Sequence, residues 1–170
     1  MIKAIVYTSN TGYTAQYANL LANKTGLPVF SLKEAGNKLE DGSNIIYLGW
    51  LMAGKIKGYN KAEKHFKVSA VCAVGMAASG TQIDYISKSN SLSPSMPLFM
   101  LQGGFDIKKL RGIYKLMMLV MVKTAGKALS KKTDRTPEEE ATLQMMLHGG
   151  NFVSERNLIP VLEWCKNEVF

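Results

Sequence analysis

Residues 2–14 read Ile2-Lys3-Ala4-Ile5-Val6-Tyr7-Thr8-Ser9-Asn10-Thr11-Gly12-Tyr13-Thr14, an apolar run that passes directly into a polar loop with one glycine. The β-branched residues of the run predict a buried strand, and the polar residues predict a turn after it. Beyond the turn, apolar residues recur at helical spacing as far as Ala22, and Gly26 and Pro28 are stop signals. The chain therefore opens with a strand, a loop and a helix.

The rest of the chain repeats this alternation. Apolar runs predict further strands at 28–32, 45–50, 68–76 and 97–102, and helical spacing predicts helices at 33–39, 59–66 and 157–168. Strands that alternate with helices favour right-handed crossovers and a parallel sheet that is covered on both faces. We therefore predict a single α/β domain over residues 1–170, with a doubly wound, five-stranded parallel sheet.

The loop after the first strand carries the strongest chemical signal. In a doubly wound sheet, ligands bind beyond the carboxyl ends of the strands, where this loop lies. Within seven residues it offers four hydroxyl side chains, one amide and Gly12, directly before a helix N-terminus. Free N–H groups of a first helical turn, together with short side-chain donors, can surround the oxygens of a phosphate monoester. Glycine lets the backbone approach closely or adopt a positive φ.

The same loop excludes two kinds of nucleotide site. It contains no Lys or Arg, and it matches neither the GxxxxGK[ST] spacing of a P-loop nor the GxGxxG spacing of a dinucleotide fold. Neutral donors suit a phosphate that is held rather than transferred. A hydroxyl-rich helix cap without a ligand remains the alternative, because such residues are what many helix starts prefer.

The loop Thr8-Ser9-Asn10-Thr11-Gly12-Tyr13-Thr14 resembles the T-x-T-G-x-T phosphate loop of flavodoxins, with Ser9 and Thr11 to Thr14 at its hydroxyl and glycine positions. The order of elements along the chain is similar to that family too. The resemblance implies the strand order 2-1-3-4-5 and flavin mononucleotide (FMN), with its phosphate in this loop. It also implies that two later loops flank the isoalloxazine ring.

Strand ends locate the two candidate ring loops: Trp50-Leu51-Met52-Ala53-Gly54-Lys55 after the third strand and Ala77-Ala78-Ser79-Gly80-Thr81-Gln82 after the fourth. Trp50 could stack on the ring or pack in the core at the end of its strand. The second loop lacks the tyrosine that is usual in flavodoxins close to Gly80, although Tyr85 lies nearby. Lys55 could place a cation near the ring or be a solvated surface lysine. We assign no catalytic acid or base and no metal ligand.

A stretch of about 45 residues, Asp106 to Gly150, lies where a plain doubly wound domain needs only a short loop. We call it the insertion. It holds nine Lys/Arg and five Asp/Glu, and its apolar, Met-rich run Ile113 to Val122 is followed by Lys123 and Lys127. Thr136-Pro137-Glu138-Glu139-Glu140 predicts the start of another helix, with Thr136 as its N-cap.

The Met-rich run has more than one interpretation. An apolar helix with basic flanks can lie in a membrane interface, here through residues 106–132, or present an adaptable partner surface. It can also simply pack on the domain.

Residues 103–136 also resemble the tail of flavodoxin-like, quinone-dependent protoporphyrinogen oxidases. The similar segments are Gly103-Gly104-Phe105-Asp106, Tyr114-Lys115-Leu116-Met117-Met118, Thr124-Ala125-Gly126 and Thr133-Asp134-Arg135-Thr136. That resemblance implies an enzyme that uses a quinone.

Composition bounds the remaining function classes. The net charge of +8 favours binding to acidic partners. The sequence contains no zinc-finger spacing, RNP-type signature or helix-turn-helix, so we expect no nucleic-acid partner. Cys72 and Cys165 match no metal or redox spacing and predict buried thiols. An apolar strand at residue 2 leaves no room for a leader, so we expect a cytoplasmic protein, with the inner face of the cell membrane as a peripheral site.

Three functions remain open on the sequence. The first is an FMN electron carrier that exchanges electrons with a redox partner protein. The second is an FMN oxidoreductase that acts on a quinone or porphyrin at a membrane surface. The third is an interaction domain without flavin.

Overall fold

The computed structural model describes residues 1–110 and 112–168, except for the side chains of Glu138 and Glu168. Arg111, one of the basic residues counted in the insertion, lies outside the described residues. The strands are β1 (Ala4–Thr8), β2 (Val29–Ser31), β3 (Asn44–Met52), β4 (Lys55–Ile56), β5 (Lys67–Gly75), β6 (Leu98–Gln102), β7 (Gly104–Phe105) and β8 (Gly150–Asn151). The α-helices are α1 (Tyr13–Thr25), α2 (Leu32–Lys38), α3 (Tyr59–His65), α4 (Ile83–Ser89), α5 (Gly112–Met121), α6 (Lys127–Lys131), α7 (Pro137–His148) and α8 (Ile159–Glu168).

The main sheet has the strand order β2-β1-β3-β5-β6, and every neighbouring pair along this path is parallel. When the short strand β4 is set aside, this is the predicted order 2-1-3-4-5, so the predicted fold class is confirmed. Strand β4 pairs antiparallel with the end of β3 and forms a hairpin at the sheet edge where strands end. The carboxyl ends of β1, β3 and β5 are therefore neighbours.

Helices cover both faces of the sheet, because its central strands are apolar on both sides. One core cluster joins Tyr17 and Leu21 of α1 with Val161 of α8. The other joins Ala62 of α3 and Ile86 of α4 with the opposite face of the strands. The predicted burial of the central strands is therefore confirmed.

Both cysteines are free and buried, as predicted. Burial raises the pKa of the Cys72 thiol, with a smaller contribution from nearby Cys165, and it raises the pKa of Cys165 to about 11. Both groups are therefore protonated at neutral pH, and a thiol in that state is a weak nucleophile.

Local capping explains several helix ends. Gly26 ends α1 in the left-handed conformation, at φ 71°. A reciprocal pair of hydrogen bonds between Ser31 and Glu34 starts α2 one residue before the predicted position. Helix α4 was not predicted, and the C-terminal helix begins at Ile159, after a 3₁₀ turn at Glu155–Leu158.

A small antiparallel ribbon closes the insertion, since Gly104 and Phe105 of β7 pair with Asn151 and Gly150 of β8. Between them, α5 passes through a π-helical turn (Val122–Gly126) into α6, and α7 returns. Thr136 caps α7 with a complete capping box, with Pro137 at the first position, as the sequence predicted. In the part of the chain that the structure describes, no helix is both long and apolar enough to cross a membrane.

Candidate functional site

The loop between β1 and α1 is tightened by one internal hydrogen bond. The Gly12 N–H donates to the Ser9 hydroxyl oxygen at 3.2 Å. Gly12 has φ 93° and is the residue before the first turn of α1, so a side chain there would be strained. The backbone conformation at the start of α1 therefore requires glycine at position 12.

The first turn of α1 offers unused donors. The Gln16 N–H donates to the Gly12 carbonyl oxygen, so the N–H groups of Tyr13, Thr14 and Ala15 come before the first intrahelical bond. No side chain caps this helix, and no acidic residue lies in its first turn. Free N–H groups and the positive end of the helix dipole therefore point the same way, which favours an anion.

Three side chains of the loop have no partner among the described residues. Thr14 is only 2% exposed, yet its hydroxyl makes no hydrogen bond within the described chain, and the side chains of Asn10 and Thr11 make none either. No fully buried side-chain oxygen or nitrogen among the described residues lacks a partner, so the free Thr14 hydroxyl retains access to the loop surface, where it can donate to a bound acceptor. These residues suit the oxygens of a phosphate.

Thr8 has a structural role instead. Its Oγ1 lies 2.8 Å from the hydroxyl of Tyr47, and that hydroxyl donates to the carbonyl oxygen of Lys57 at 2.7 Å. Burial raises the pKa of Tyr47 to about 12, although the hydrogen bond with Thr8 acts to lower it. The base of the loop is therefore attached to β3 and to the chain that follows β4.

Cations stand beside the loop although none belongs to it. A depression of about 550 Å³ on the β2 side of the loop is lined by Thr8, Ser9, Asn10 and Gly12 and by Lys33 and Lys61. Neither lysine forms an ion pair among the described residues. They supply positive charge that the loop's own sequence lacks.

The first candidate ring loop is the tip of the β3–β4 hairpin. Ala53 and Gly54 form its turn, both with positive φ. The ring of Tyr85 lies so close to Gly54 that a Cβ there would be 2.7 Å from it, and Asn90 donates to the Gly54 carbonyl oxygen at 2.7 Å. Lys55 donates to the carbonyl oxygen of Ser89, so its ammonium group is held against α4.

The side chain of Trp50 packs against the insertion. Its ring meets Tyr114 of α5 edge to face, with centroids 5.2 Å apart and planes at 88°. The Lys57 ammonium group lies 5.9 Å from the centroid of Trp50 and 5.8 Å from that of Tyr114. Whether Trp50 also stacks on a flavin stays a prediction.

The second candidate ring loop is fixed to β6. The Gln102 N–H donates to the Ser79 hydroxyl at 2.9 Å, and the Gly80 N–H donates to the Met100 carbonyl oxygen at 2.9 Å. Thr81 donates to the carbonyl oxygen of Ala78. These hydrogen bonds hold the loop in place. Contact between this loop and a flavin ring stays a prediction.

A cavity of about 500 Å³ joins these parts at the carboxyl ends of the strands. One side, which we call the loop wall, comes from the loops and strand ends: Asn10, Thr11, Tyr13, Trp50, Leu51, Met52, Ala53, Gly54, Val74, Gly75, Met76, Ala77, Gln82 and Met100. The other side, the helical wall, comes from the insertion and its root: Gly104, Phe105, Asp106, Leu110, Tyr114, Met117, Met118, Met121, Thr142 and Met146. The cavity thus brings the phosphate loop and the first ring loop together, and from the second predicted loop it brings in Ala77 and Gln82.

Methionine dominates the cavity, because seven of the chain's ten methionines line it. Methionine side chains are polarisable and fill irregular space, so such a wall adapts to flat apolar molecules. The sequence marked the Met-rich run but did not place it against the ring loops. A signal was present in the spacing of Tyr114, Met118 and Met121, which share one helical face.

Asp106 is the one carboxylate among the described residues that line the cavity. Its neighbour Tyr13 has a raised pKa, because the phenol is buried and because the charge of Asp106 disfavours its ionisation. The Lys109 ammonium group lies 5.2 Å from the centroid of the Tyr13 ring. The phosphate loop and the root of the insertion therefore meet at Tyr13.

A family model described as a flavodoxin domain matches residues 4–132, most of the chain, and so includes β1, the phosphate loop, both ring loops and α5. The chain belongs to this flavodoxin domain family. No curated protein matches the chain. The family match ends before α7, so the last part of the helical wall lies beyond it.

Proposed function

We propose that this flavodoxin-domain protein binds FMN and works as an electron-transfer module. The phosphate lies in the loop 8–14, and the isoalloxazine ring lies in the cavity between residues 50–54 and 76–82. The observation that carries the proposal is the uncapped start of α1, where the free N–H groups of the first turn lie beside the unpartnered hydroxyl of Thr14. Lys33 and Lys61 add positive charge for the phosphate dianion.

FMN, when bound, supplies the reversible transfer of electrons. The chain's residues hold the group and exclude water from it. The loop wall fixes the phosphate end, and the methionines of the helical wall cover the cavity from the other side. Among the described residues that line the cavity, the charged side chain is that of Asp106.

Purified protein tests this proposal through its visible absorbance and through its uptake of added FMN. We expect a yellow protein, or a colourless one that gains flavin absorbance and quenches flavin fluorescence at a one-to-one ratio. A folded protein that is colourless and takes up no FMN would overturn the proposal and leave an interaction domain without flavin.

A second candidate is an FMN oxidoreductase that acts on a quinone or porphyrin, as the sequence resemblance to quinone-dependent protoporphyrinogen oxidases implies. It is favoured by the apolar, Met-rich helical wall, which gives a flat apolar molecule room beside the ring. Asp106 offers that molecule an acceptor for a proton or an N–H group.

Turnover separates the two candidates. The FMN-loaded protein is mixed with protoporphyrinogen and a quinone, and porphyrin fluorescence is followed. Fluorescence that rises only with protein and quinone, and falls with Asp106→Asn, supports the oxidoreductase. A rate no higher than that of free FMN supports the carrier.

A further inference from the structure

Helix α5 has two apolar faces. Tyr114, Met118 and Met121 line the cavity. The exposed side of the helix, which we call the outer stripe, is formed by Ile113 (67% exposed), Leu116 (62%), Met117 (48%), Leu119 (39%) and Val120 (55%). Single exposed apolar residues are ordinary on a protein surface, but a contiguous row on one helix marks a site of interaction.

Positive charge surrounds the outer stripe. Residues 107–133, which we call the basic arm, contain eight Lys or Arg residues and no Asp or Glu. The described ion pairs of the insertion, Lys132 with Glu139 and Arg135 with Glu140, lie at the start of α7. Lys115, Lys123 and Lys127 are exposed and form no ion pair with any described residue. The stripe is therefore accompanied by free cations rather than by paired ones.

Charge and residue type decide what covers this surface. A second copy related by a twofold axis would bring two basic arms together, which like-charge repulsion disfavours. A tight protein interface would be expected to contain exposed Trp, Tyr or Arg, and the outer stripe has only aliphatic side chains and Met. Leu, Ile, Val and Met beside long lysines suit a helix in the plane of a lipid interface, because lysine stems can lie along apolar surface while their charges reach phosphates.

We infer that the outer stripe docks on an anionic lipid surface, with α5 in the plane of the interface and the lysines of the basic arm against the headgroups. The docking does not require the flavin, so it stands apart from the proposed function. Met117 both belongs to the stripe and lines the cavity. Docking therefore brings the rim of the cavity next to the lipid.

Vesicle co-sedimentation of the full chain tests the inference. The probes are vesicles of phosphatidylcholine alone and of phosphatidylcholine mixed with phosphatidylglycerol. We expect binding to the mixed vesicles only, weakening as KCl is raised. Leu116→Gln with Val120→Gln should abolish binding, whereas Ile159→Gln, which changes a comparably exposed residue of α8, should not.

A pair of charge variants separates the local surface from the net charge. Lys115→Gln with Lys123→Gln should weaken binding by about 25-fold, since each cation near an anionic surface contributes about a fivefold factor in affinity. Lys38→Gln with Lys64→Gln removes the same charge from α2 and α3 and should have a much smaller effect. Circular dichroism confirms that each variant is folded.

Three results would overturn the inference. The first is equal binding to neutral and mixed vesicles, or to neither. The second is equal loss of binding in both charge pairs, which would mean a general effect of net charge. The third is a dimer in sedimentation velocity that Leu116→Gln with Val120→Gln dissociates, because a second copy would then cover the stripe.

Discussion

The loop wall and the helical wall face each other across one cavity but are built from different parts of the chain. The loop wall presents backbone N–H groups and short side chains at the ends of parallel strands, and each of its loops follows its own strand directly. The helical wall presents long Met and Tyr side chains from helices that are joined to the sheet by the ribbon β7–β8. The loop wall is suited to hold one chemical group in a fixed position, and the helical wall is suited to adapt to the shape of a molecule in the cavity.

The largest expected effect comes from removing the helical wall altogether. Because Phe105 pairs with Gly150, residues 106–149 can be replaced by a two-residue turn. The two main core clusters do not include the insertion's helices, so we expect the shortened protein to fold and to bind FMN. Iodide should then quench the bound flavin much more strongly, since one side of the cavity is open.

Loss of FMN binding in a folded, shortened protein would contradict this comparison. It would mean that the helical wall, rather than the loop wall, holds the cofactor. The matched control is full-length protein measured at the same FMN saturation.

Alkaline pH should weaken the support beneath the loop wall. The pKa of Tyr47 is about 12 in the folded protein and 10.0 when unperturbed. The folded state therefore binds the proton more tightly, so the stability is fully present below about pH 10 and is lost as the pH rises to about 12. The total is about 3 kcal/mol, from two pKa units at about 1.4 kcal/mol each.

Urea unfolding between pH 9 and pH 12, at about half-unit steps, measures this loss. Tyr47→Phe should make the decline shallower, leaving a share from Tyr59, whose pKa burial also raises to about 12. An unchanged decline in Tyr47→Phe would show that Tyr47 does not cause it.

A smaller effect, on the local stability of α5, should follow from removing the contact between the two walls at Trp50. Tyr114→Leu removes the edge-to-face contact, which contributes about 0.5–1.5 kcal/mol beyond burial in comparable pairs. We expect faster hydrogen exchange in α5 with little change in the sheet strands. Phe99→Leu, which breaks the Phe99–Trp164 contact in the main core, should instead lower the protection of the sheet. The same exchange pattern in both variants would refute a separate role for the Trp50–Tyr114 contact.

The two walls also differ in how far sequence predicts them. The strand, loop and helix of residues 2–25 follow from apolar spacing, a glycine and a stop signal that are all local. Even so, the sequence did not show that Thr8 would form a hydrogen bond with Tyr47, because that depends on the register of β1 with β3.

The helical wall was predicted only in its parts. The cap of α7 is local and was predicted correctly, but the pairing of Phe105 with Gly150 joins residues far apart in sequence and has no local signal. The contact between Trp50 and Tyr114 likewise joins residues far apart in sequence. Helix α4 was missed because its seven residues bury only Ile86 completely, which leaves little periodicity to detect.

The central claim is that the loop 8–14 holds the phosphate of FMN, and calorimetric titration of Thr14→Val with FMN and with riboflavin tests it most directly. Valine keeps the volume of the 2% exposed side chain and removes its free hydroxyl. Thr25→Val is the matched control, since Thr25 lies on the same helix and donates to the Leu21 carbonyl oxygen.

We predict that Thr14→Val weakens FMN binding roughly 10- to 100-fold, the effect of one hydrogen bond to a charged group. Riboflavin binding should not change, because riboflavin lacks the phosphate, and Thr25→Val should change neither affinity. Equal losses for FMN and riboflavin in Thr14→Val, or no loss for either, would contradict the claim.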